Sequence, residues 1–406
     1  MRTDSTRKKR GLTDRFIAKQ QEKATQPAIG LEAEFTLLVD GQPAKPEDVF
    51  GSPTAFVRQK MMHRTGRSYH LPTGCAVYFD TGVIEVATPM IELEPGCAAR
   101  AGRSLWESIH FLRQELDAWE ERKQHEVHLA GFSAHYNVSF ELPQKLRGKH
   151  RTVHKLAILL TYILPVPVML LAANRESTGI GVRPRQNRIE ITADFTPDAP
   201  LSIATATLIV AVVREVMSWP SYELDQLDRI NYAVLRKFAP IPHSSRKGWV
   251  AKFSCFAQNP FQCDIDAPIW DTRDGSRRSL RDIAALTTRV FSRSIRHYAD
   301  PLSRTLISAV MHGSAPSLLE LPERPDCYHD VGRACSWDNL YTERTLARSR
   351  YERVLMRAIA RQPVVIEGEQ YTPTGMHGWS HVVFRRQRDG QRQELSLDEL
   401  VEHLVR

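Results

Sequence analysis

Cysteine is scarce in this chain and occurs in no pattern typical of a disulfide scaffold. Only 6 of the 406 residues are cysteines, and no two of them form a CxxC pair. Cys327, His329 and Cys335 carry metal-binding atoms, but a C-x-H-x5-C run lacks the spacing of zinc fingers. No apolar stretch follows the basic first residues, so they do not match a secretory signal. We therefore expect a cytoplasmic protein with reduced thiols.

Long apolar runs are also rare. The segment 156–173 has 18 residues without a charge, but Pro165 and Pro167 interrupt it. Because proline breaks a helix, we expect a buried helix that ends at Leu164 and an extended segment after it, rather than a membrane span. A second helical run, 202–218, is too short to span a membrane because charged residues close its apolar block.

The net charge of +8 is unevenly distributed. Residues 1–23 hold eight basic and three acidic side chains, a local charge of +5, so the remainder is nearly balanced. We expect these residues to form a basic, mobile tail. A hydrophobic content of 42% and a charged content of 25% exclude a disordered or fibrous chain. The length favours two or three domains.

Alternating apolar and polar residues predict strands with one polar face. In the segment 29–39 the odd positions are apolar, whereas Glu32 and Glu34 point to the other face. The segment 132–140 alternates in the same way, with Phe132 on its apolar side. Its polar residues are Ser133, His135, Asn137 and Ser139. Both segments therefore predict strands with chemically functional side chains on one face.

Two further segments extend this polar face. In 188–195 the residues Arg188 and Glu190 share one side, and Glu85 interrupts an otherwise apolar strand. If the strands are neighbours, their carboxylates converge, and like charges placed opposite one another need cations nearby. Carboxylate oxygens with one imidazole suit Mg²⁺ or Mn²⁺. The pattern alone leaves two interpretations open, a divalent-metal site and a merely polar sheet face.

Four short motifs follow one another along these strands. They are E-x-E at Glu32 and Glu34, G-V-I-E-V-A-T-P at 82–89, H-x-N-x-S from His135, and R-I-E-I from Arg188. In this order they resemble motifs of the glutamine synthetase and glutamate-cysteine ligase superfamily. The stretch 164–185 is similar to a segment of carboxylate-amine ligases. The resemblance covers residues 28–215, roughly half of the chain.

The resemblance implies an α+β fold like that of the glutamine synthetase catalytic domain, with a curved, mostly antiparallel sheet and helices on its outer face. It also implies an ATP-dependent ligase in which a carboxylate, activated as an acyl phosphate with the help of Mg²⁺ or Mn²⁺, reacts with an amine to form an amide. An amino-acid substrate and a γ-glutamyl type of product are expected, together with an amine acceptor. A homo-oligomer is compatible with this interpretation.

The resemblance further implies roles for individual acidic residues. Glu32 and Glu34 would each bind a different metal ion, and Glu85 would be a second ligand beside Glu34. His135 and Glu190 would complete the site that contains Glu32. The first strands would therefore hold two metal ions.

Other candidate residues surround these ligands. Asp80 is an additional candidate metal ligand, and the stretch 177–185 is a candidate substrate-side loop. Arg183 and Arg188 would neutralise phosphate or a substrate carboxylate, which makes them the catalytic candidates. The candidates for nucleotide binding are Asn137, Ser139, Arg188 and Lys247.

At two positions the chain departs from the family pattern. Asn137 stands where the family often has histidine or a similar group, and Thr192 stands where it often has arginine. Since threonine cannot replace a cation, we expect phosphate or acceptor contacts that differ from those of a true glutamine synthetase. Lys247, close to Trp249, fits either a nucleotide-phosphate contact or an ordinary surface loop.

The second half of the chain is predicted to be mainly helical. Helices are expected at 279–298, 301–312 and 342–360, and the arginines of the last helix are more typical of a solvated face than of a phosphate-binding surface. Beyond Pro363 a hairpin is predicted with Asp389-Gly390 at its turn, before a last helix capped by Ser396 and Glu399. This appendage is a candidate cover for the site or oligomer interface. The predicted parts are the tail 1–23, a catalytic sheet core 24–218, a mainly helical part 219–362 of the same catalytic unit, and an appendage 363–406.

Two other functions compete with the ligase hypothesis. A small-molecule kinase of the guanidino type has related chemistry that stops at phosphorylation. A nucleic-acid-binding protein would use the basic tail, but it predicts basic rather than acidic strands. Kinase and ligase differ in whether ADP release requires an amine.

Overall fold

The computed structural model describes residues 27–139, 152–185, 188–244, 248–321 and 347–404. The basic tail 1–23, the group of Cys327, His329 and Cys335, and Lys247 lie outside the described residues.

Strands predominate in the first part of the described chain, and helices and short strands are interspersed in the rest. The strands are β1 Ala28–Val39, β2 Gln42–Ala44, β3 Met62–Thr65, β4 Ser68–His70, β5 Ala76–Asp80, β6 Val83–Ala87, β7 Ile91–Glu92, β8 Val127–Ser139, β9 Ile180–Pro184, β10 Arg188–Asp194, β11 Ile241–Pro242, β12 Trp249–Ala251, β13 Trp270–Asp271, β14 Arg277–Arg278, β15 Val364–Ile366, β16 Glu369–His377, β17 His381–Arg386 and β18 Arg392–Ser396. The α-helices are α1 Pro46–Phe50, α2 Cys97–Lys123, α3 Thr152–Ile163, α4 Pro165–Ala172, α5 Ala199–Met217, α6 Asp225–Arg229, α7 Leu280–Val290, α8 Ser292–Tyr298, α9 Pro301–Met311, α10 Arg350–Ile359 and α11 Leu397–Leu404. Short 3₁₀ turns lie at Pro53–Ala55, Phe253–Cys255 and Leu318–Glu320.

A 12-stranded antiparallel sheet forms the centre of the molecule. Its strand order is β11-β12-β9-β10-β8-β1-β6-β5-β4-β3, with β2 and β7 also paired to β1. The predicted fold class, an α+β architecture built on a large antiparallel sheet, is therefore confirmed. The four strands that carry the sequence motifs, β6, β1, β8 and β10, are direct neighbours in this sheet.

The sheet has one apolar face and one polar face. The apolar face of β1 is buried from Ile29 to Leu37; α2 packs on β1, and α5 packs on the neighbouring β8. Trp106 of α2 and Phe35 of β1 both contact the ring of Phe195 there. Phe132, predicted on the apolar face, is instead 55% exposed, because a bulge shifts the β1–β8 register by one residue after Glu34.

The long apolar segments form core helices. Residues 165–172 are helical rather than extended, since Pro165 occupies the first helical position, where a missing N–H costs nothing. The proline marks a bend of 59° between α3 and α4. Helix α5 is long and apolar enough to cross a membrane, but 83% of its most apolar window is buried inside the protein, as in a core helix.

The helices of the second half differ from the predictions in their bounds. The segment 279–298 contains two helices, α7 and α8, which meet at Phe291. Helix α10 begins at Arg350, because Ser349 caps it and forms a capping box with Glu352, and residues 342–346 of the predicted helix lie outside the described residues.

The C-terminal residues form a second, smaller core. Strands β15 to β18 make a four-stranded antiparallel sheet that packs with α10, α11 and Met62 of β3. The predicted hairpin around Asp389 and Gly390 and the capping box of Ser396 and Glu399 are both confirmed. The division of the chain into domains stays a prediction.

A buried ion pair joins this second core to the first. Arg103 of α2 lies 2.7 Å from Glu352 of α10, and Glu352 is fully buried. Arg348 contacts both Glu107 and Glu352. This part of the predicted arginine-rich face is therefore engaged in ion pairs within the protein.

The closest approach of two core helices gives a stability prediction. A Cβ on Gly102 of α2 would lie 2.5 Å from Cγ1 of Ile203 in α5. Gly102→Ala should therefore lower the free energy of unfolding, measured by urea denaturation, by roughly 1–3 kcal/mol. Alanine is intrinsically better than glycine in a helix by about 0.5–1 kcal/mol. In an Ile203→Ala background, which removes the clash, the same change should stabilise. A stabilising Gly102→Ala in the wild-type background would contradict this packing.

Candidate active site

The polar sheet face brings three glutamates and a histidine together. Glu32 lies directly opposite His135 of β8, and Glu34 lies directly opposite Glu85 of β6. The Nδ1 atom of His135 is 3.1 Å from a carboxylate oxygen of Glu32, and its Nε2 atom is 3.7 Å from Glu34. The Ser133 hydroxyl donates to Glu34 at 2.5 Å. We call Glu32, Glu34, Glu85 and His135 the acidic cluster.

Glu85 lies at the buried side of the acidic cluster. It is only 4% exposed, and the Tyr78 hydroxyl of β5 donates a hydrogen bond to its carboxylate. Burial, together with the charges of Glu32 and Glu34, raises the pKa of Glu85 to about 8. The cluster therefore holds more negative charge than its own surroundings stabilise.

The histidine supplies part of the missing positive charge. Burial alone would lower the pKa of His135, but its hydrogen bond to Glu32 and the charge of Glu34 outweigh burial and raise that pKa. One imidazolium cannot balance three carboxylates, so a cation bound at this place would relieve the repulsion.

A second cluster, rich in arginine, lies beside the first on β8, β9 and β10. Glu190 is 1% exposed and forms ion pairs with Arg183 and Arg185, the latter at 2.7 and 2.9 Å. Arg188 donates from Nε to Asn137 at 2.5 Å and lies 3.9 Å from Glu190. We call Arg183, Arg185, Arg188, Glu190 and Asn137 the arginine cluster.

Glu190 is held in its charged form by this cluster. Burial would raise its pKa, but the hydrogen bond from Arg185 and the charge of Arg183 outweigh burial and lower the pKa. The structure therefore places Glu190 among arginines, whereas the sequence assigns it to the Glu32 metal site. Its role as a metal ligand stays a prediction, and it requires Glu190 to give up an ion pair with arginine in exchange for the metal ion.

Small residues separate the two clusters. Thr192 of β10 lies between His135 on one side and Gly181 of β9 on the other. A Cβ at Gly181 would collide with the Thr192 hydroxyl, so glycine is required here. Threonine in place of a larger cationic side chain keeps this position between the two clusters uncharged.

Other predicted residues lie at the margin. Asp80 is exposed at the β5–β6 turn, where it accepts a hydrogen bond from the Thr81 hydroxyl at 2.9 Å. The Ser139 hydroxyl accepts a hydrogen bond from the backbone N–H of Ala28 at 2.7 Å. The structure thus places both residues beside the clusters rather than within them.

The predicted substrate-side loop at 177–185 is mostly a strand. Residues of β9 pair with β10 on one side and with β12 on the other, so the turn is confined to the segment before Ile180. Asp194 anchors this turn by accepting from the backbone N–H of Asn174 at 2.9 Å. Burial raises the pKa of Asp194 to about 6.

The donor set of the acidic cluster fits a hard divalent cation. Three carboxylates and one imidazole are donors typical of Mg²⁺ or Mn²⁺ sites, and burial together with the neighbouring charge of Glu32 raises the pKa of Glu85. Within the described ranges, no group of three or more His, Cys, Asp or Glu side chains already has its donor atoms arranged as a metal site. Metal binding would therefore require rotation of these side chains, and it stays a prediction.

Three side chains of the site have no counterpart among the predicted site residues. Arg185 is two residues from Arg183 and on the same side of the strand, a spacing that could have identified it. Tyr78 of β5 contacts Glu85, and Arg64 of β3 lies over the ring of Tyr78, an arrangement that depends on the sheet order. Nothing in their local sequence indicates these contacts.

Comparison with known proteins finds similarity only at a low level. The complex between the prokaryotic ubiquitin-like protein Pup and its ligase PafA matches with a TM-score of 0.46 and 11% identity, over 95% of this chain and 94% of that one. The Pup ligase PafA in complex with ADP matches with a TM-score of 0.42 and 11% identity, over 84% of this chain and 90% of that one. No family model and no curated protein matches the chain. Likenesses this weak assign no activity to the chain.

Proposed function

We propose that this chain is an ATP-dependent ligase that joins a carboxylate to an amine through an acyl phosphate. The observation that carries the proposal is the position of the acidic cluster directly beside the arginine cluster on one sheet face. Phosphoryl transfer requires positioned positive charge more than covalent chemistry, and metal-binding carboxylates next to arginines supply that requirement.

The two clusters would have different tasks. Glu32, Glu34, Glu85 and His135 would hold Mg²⁺ or Mn²⁺, which when bound supplies positive charge to the phosphate oxygens of ATP. Arg183 and Arg188 would neutralise the phosphoryl group or the substrate carboxylate. Glu190 would hold both guanidinium groups in position, because this buried carboxylate forms ion pairs with Arg183 and Arg188.

The remaining polar residues would orient the nucleotide and protect the intermediate. Asn137 is held by Arg188 and offers its amide N–H groups to an oxyanion. The reacting groups would lie over Gly181 and Thr192, positions without a large or charged side chain. An acyl phosphate must be kept from water, and the helices and strands bordering the sheet would limit access.

The substrate class follows from the motif resemblance rather than from the geometry. An amino acid such as glutamate would provide the carboxylate, and the product would be a γ-glutamyl-type amide. A small-molecule kinase would share both clusters but would release ADP without an amine.

The main prediction concerns ADP release. With ATP, Mg²⁺ and a panel of amino acids and amines, the protein should release ADP only when a carboxylate and an amine are both present, and mass spectrometry should detect the amide. Amine-independent ADP release with a phosphorylated product would establish the kinase instead. No ADP release with any pair would remove the ligase proposal.

Two variants test the residues in the same assay. Glu32→Gln should lower the rate by roughly 100-fold or more because a metal ligand is lost, and Glu190→Gln should do so because it releases the arginines. Glu121→Gln, an exposed position on α2, is the matched control and should keep the wild-type rate. Wild-type rates in both test variants would refute the assignment of the clusters.

Metal binding can be tested without turnover. Titration with Mn²⁺, followed by its paramagnetic resonance signal, should show affinity roughly 10- to 100-fold weaker in Ser133→Ala and Tyr78→Phe, since these hydroxyls orient Glu34 and Glu85. Tyr69→Phe on β4, whose ring contacts His63, is the control for loss of a tyrosine hydroxyl. Equal Mn²⁺ affinity in all four proteins would place the metal elsewhere.

A further inference from the structure

We propose that Arg64, held in place by Trp379 of the C-terminal sheet, binds an oxyanion of the ligand beside the acidic cluster. The oxyanion is a nucleotide phosphate or a substrate carboxylate, which share the chemistry that a guanidinium recognises. The proposal deepens the ligase function proposed above and rests on it for the identity of the ligand.

The position of Arg64 is fixed on three sides. Its guanidinium carbon lies 4.0 Å from the ring centre of Trp379 and 5.4 Å from that of Tyr78. Its Nε donates to the Ser68 hydroxyl at 2.9 Å. Stacking on an aromatic ring orients a guanidinium without using its outer N–H groups, so these remain available to a ligand.

Those outer N–H groups have no carboxylate partner in the part of the chain described. No Asp or Glu oxygen lies within 4 Å of the Arg64 guanidinium there, and neither Nη donates a hydrogen bond. Arginines buried elsewhere in the protein are paired at short distance, Arg103 with Glu352 and Arg281 with Asp266, both at 2.7 Å. A half-buried, unpaired guanidinium is costly, which indicates a partner supplied by the ligand.

Arg64 lies one side chain away from the acidic cluster. Its ring neighbour Tyr78 donates a hydrogen bond to Glu85 of the acidic cluster. The charges of Glu85 and Glu32 act favourably on Arg64 without contacting it as ion pairs. An oxyanion bound beside the acidic cluster would therefore have Arg64 on one side and the arginine cluster on the other.

The C-terminal sheet provides the rigid support. Trp379 lies in the turn between β16 and β17, where Gly378 adopts a positive φ of 62°. Strand β16 packs so closely on β3 that a Cβ at Gly375 would lie 3.1 Å from the carbonyl oxygen of His63. Met62 belongs to the core of the C-terminal sheet. The appendage predicted from sequence thus forms one wall of the candidate site.

Direct binding measurements test the role of Arg64. Calorimetric titrations of the full chain with Mg²⁺-ADP, inorganic phosphate and glutamate would be compared for wild type, Arg64→Ala, Arg64→Lys and Arg67→Ala. Arg64→Ala should weaken the binding of at least one probe roughly 10- to 100-fold. Arg64→Lys should restore only part of that affinity, since an ammonium lacks the planar fork of a guanidinium. Arg67, exposed on the same hairpin and bonded to the Gly51 carbonyl, is the control and should bind like wild type. Loss of Mg²⁺-ADP or phosphate binding identifies a phosphate, and loss of glutamate binding identifies a carboxylate.

A double-mutant cycle tests whether Trp379 acts through Arg64. Trp379→Leu should weaken the binding of the same probe, but it should cause no further loss of affinity in the Arg64→Ala background. Equal losses in both backgrounds would show that Trp379 serves only the fold, and thermal unfolding of each variant checks that it is folded.

Failure of this proposal and failure of the ligase function give different results. Equal affinity of wild type and Arg64→Ala for every probe, including undetectable binding by both, overturns the role of Arg64 even if ADP release is normal. Arg64-dependent binding without amine-dependent ADP release supports Arg64 and removes the ligase.

Discussion

Repulsion between carboxylates on neighbouring strands is the constraint on which the polar half of this structure depends. Glu34 and Glu85 face each other directly across β1 and β6, and Glu32 is one pleat away. Such an arrangement is unfavourable by itself and is tolerated because the opposite face of the same strands is completely buried. The apolar face stabilises the sheet, so the polar face is free to carry chemistry.

The surrounding side chains can be understood as responses to that repulsion. His135 and Tyr78 donate hydrogen bonds to the carboxylates, and Arg64 lies close enough to contribute positive charge. Glu190, in contrast, is neutralised by its own arginines. The polar face therefore combines one under-neutralised region with one rich in cations, a separation suited to a metal and an oxyanion bound side by side.

The sequence predicts one part of this arrangement well and another part not at all. Alternation with a period of two identifies the strands of Glu32, His135 and Glu190 and their polar sides, because the pleat of a strand is a local property. The prediction for Phe132 is wrong, since a bulge depends on how the strand pairs with its neighbour and not on the local sequence. The sequence predicts an extended segment where helix α4 lies, because proline at a first helical position and proline at a break look alike in sequence.

Long-range contacts account for most of the rest. Tyr78, Arg64 and Trp379 meet only because β3 to β5 extend the sheet and the C-terminal sheet packs across its end. The motif resemblance covers β1 to α5 and says nothing of these contacts. Within its range it names motifs on strands that are neighbours in the sheet, whereas Arg185 and the pairing of Glu190 depend on side-chain positions that no spacing rule fixes.

The ion pair between Arg103 and Glu352 also has a consequence for the order of folding. These residues are separated by 249 positions, whereas the hydrogen bond between Glu32 and His135 closes a separation of 103. During synthesis the carboxylates can thus assemble well before the C-terminal sheet exists, and contacts of high sequence separation form slowly. Nascent chains would pass through a stage in which the strands of Glu32 and His135 are synthesised and Trp379 is not. The contacts of Glu352 with Arg103 and of Trp379 with Arg64 are therefore among the last to form, after the strands of the acidic cluster are already paired.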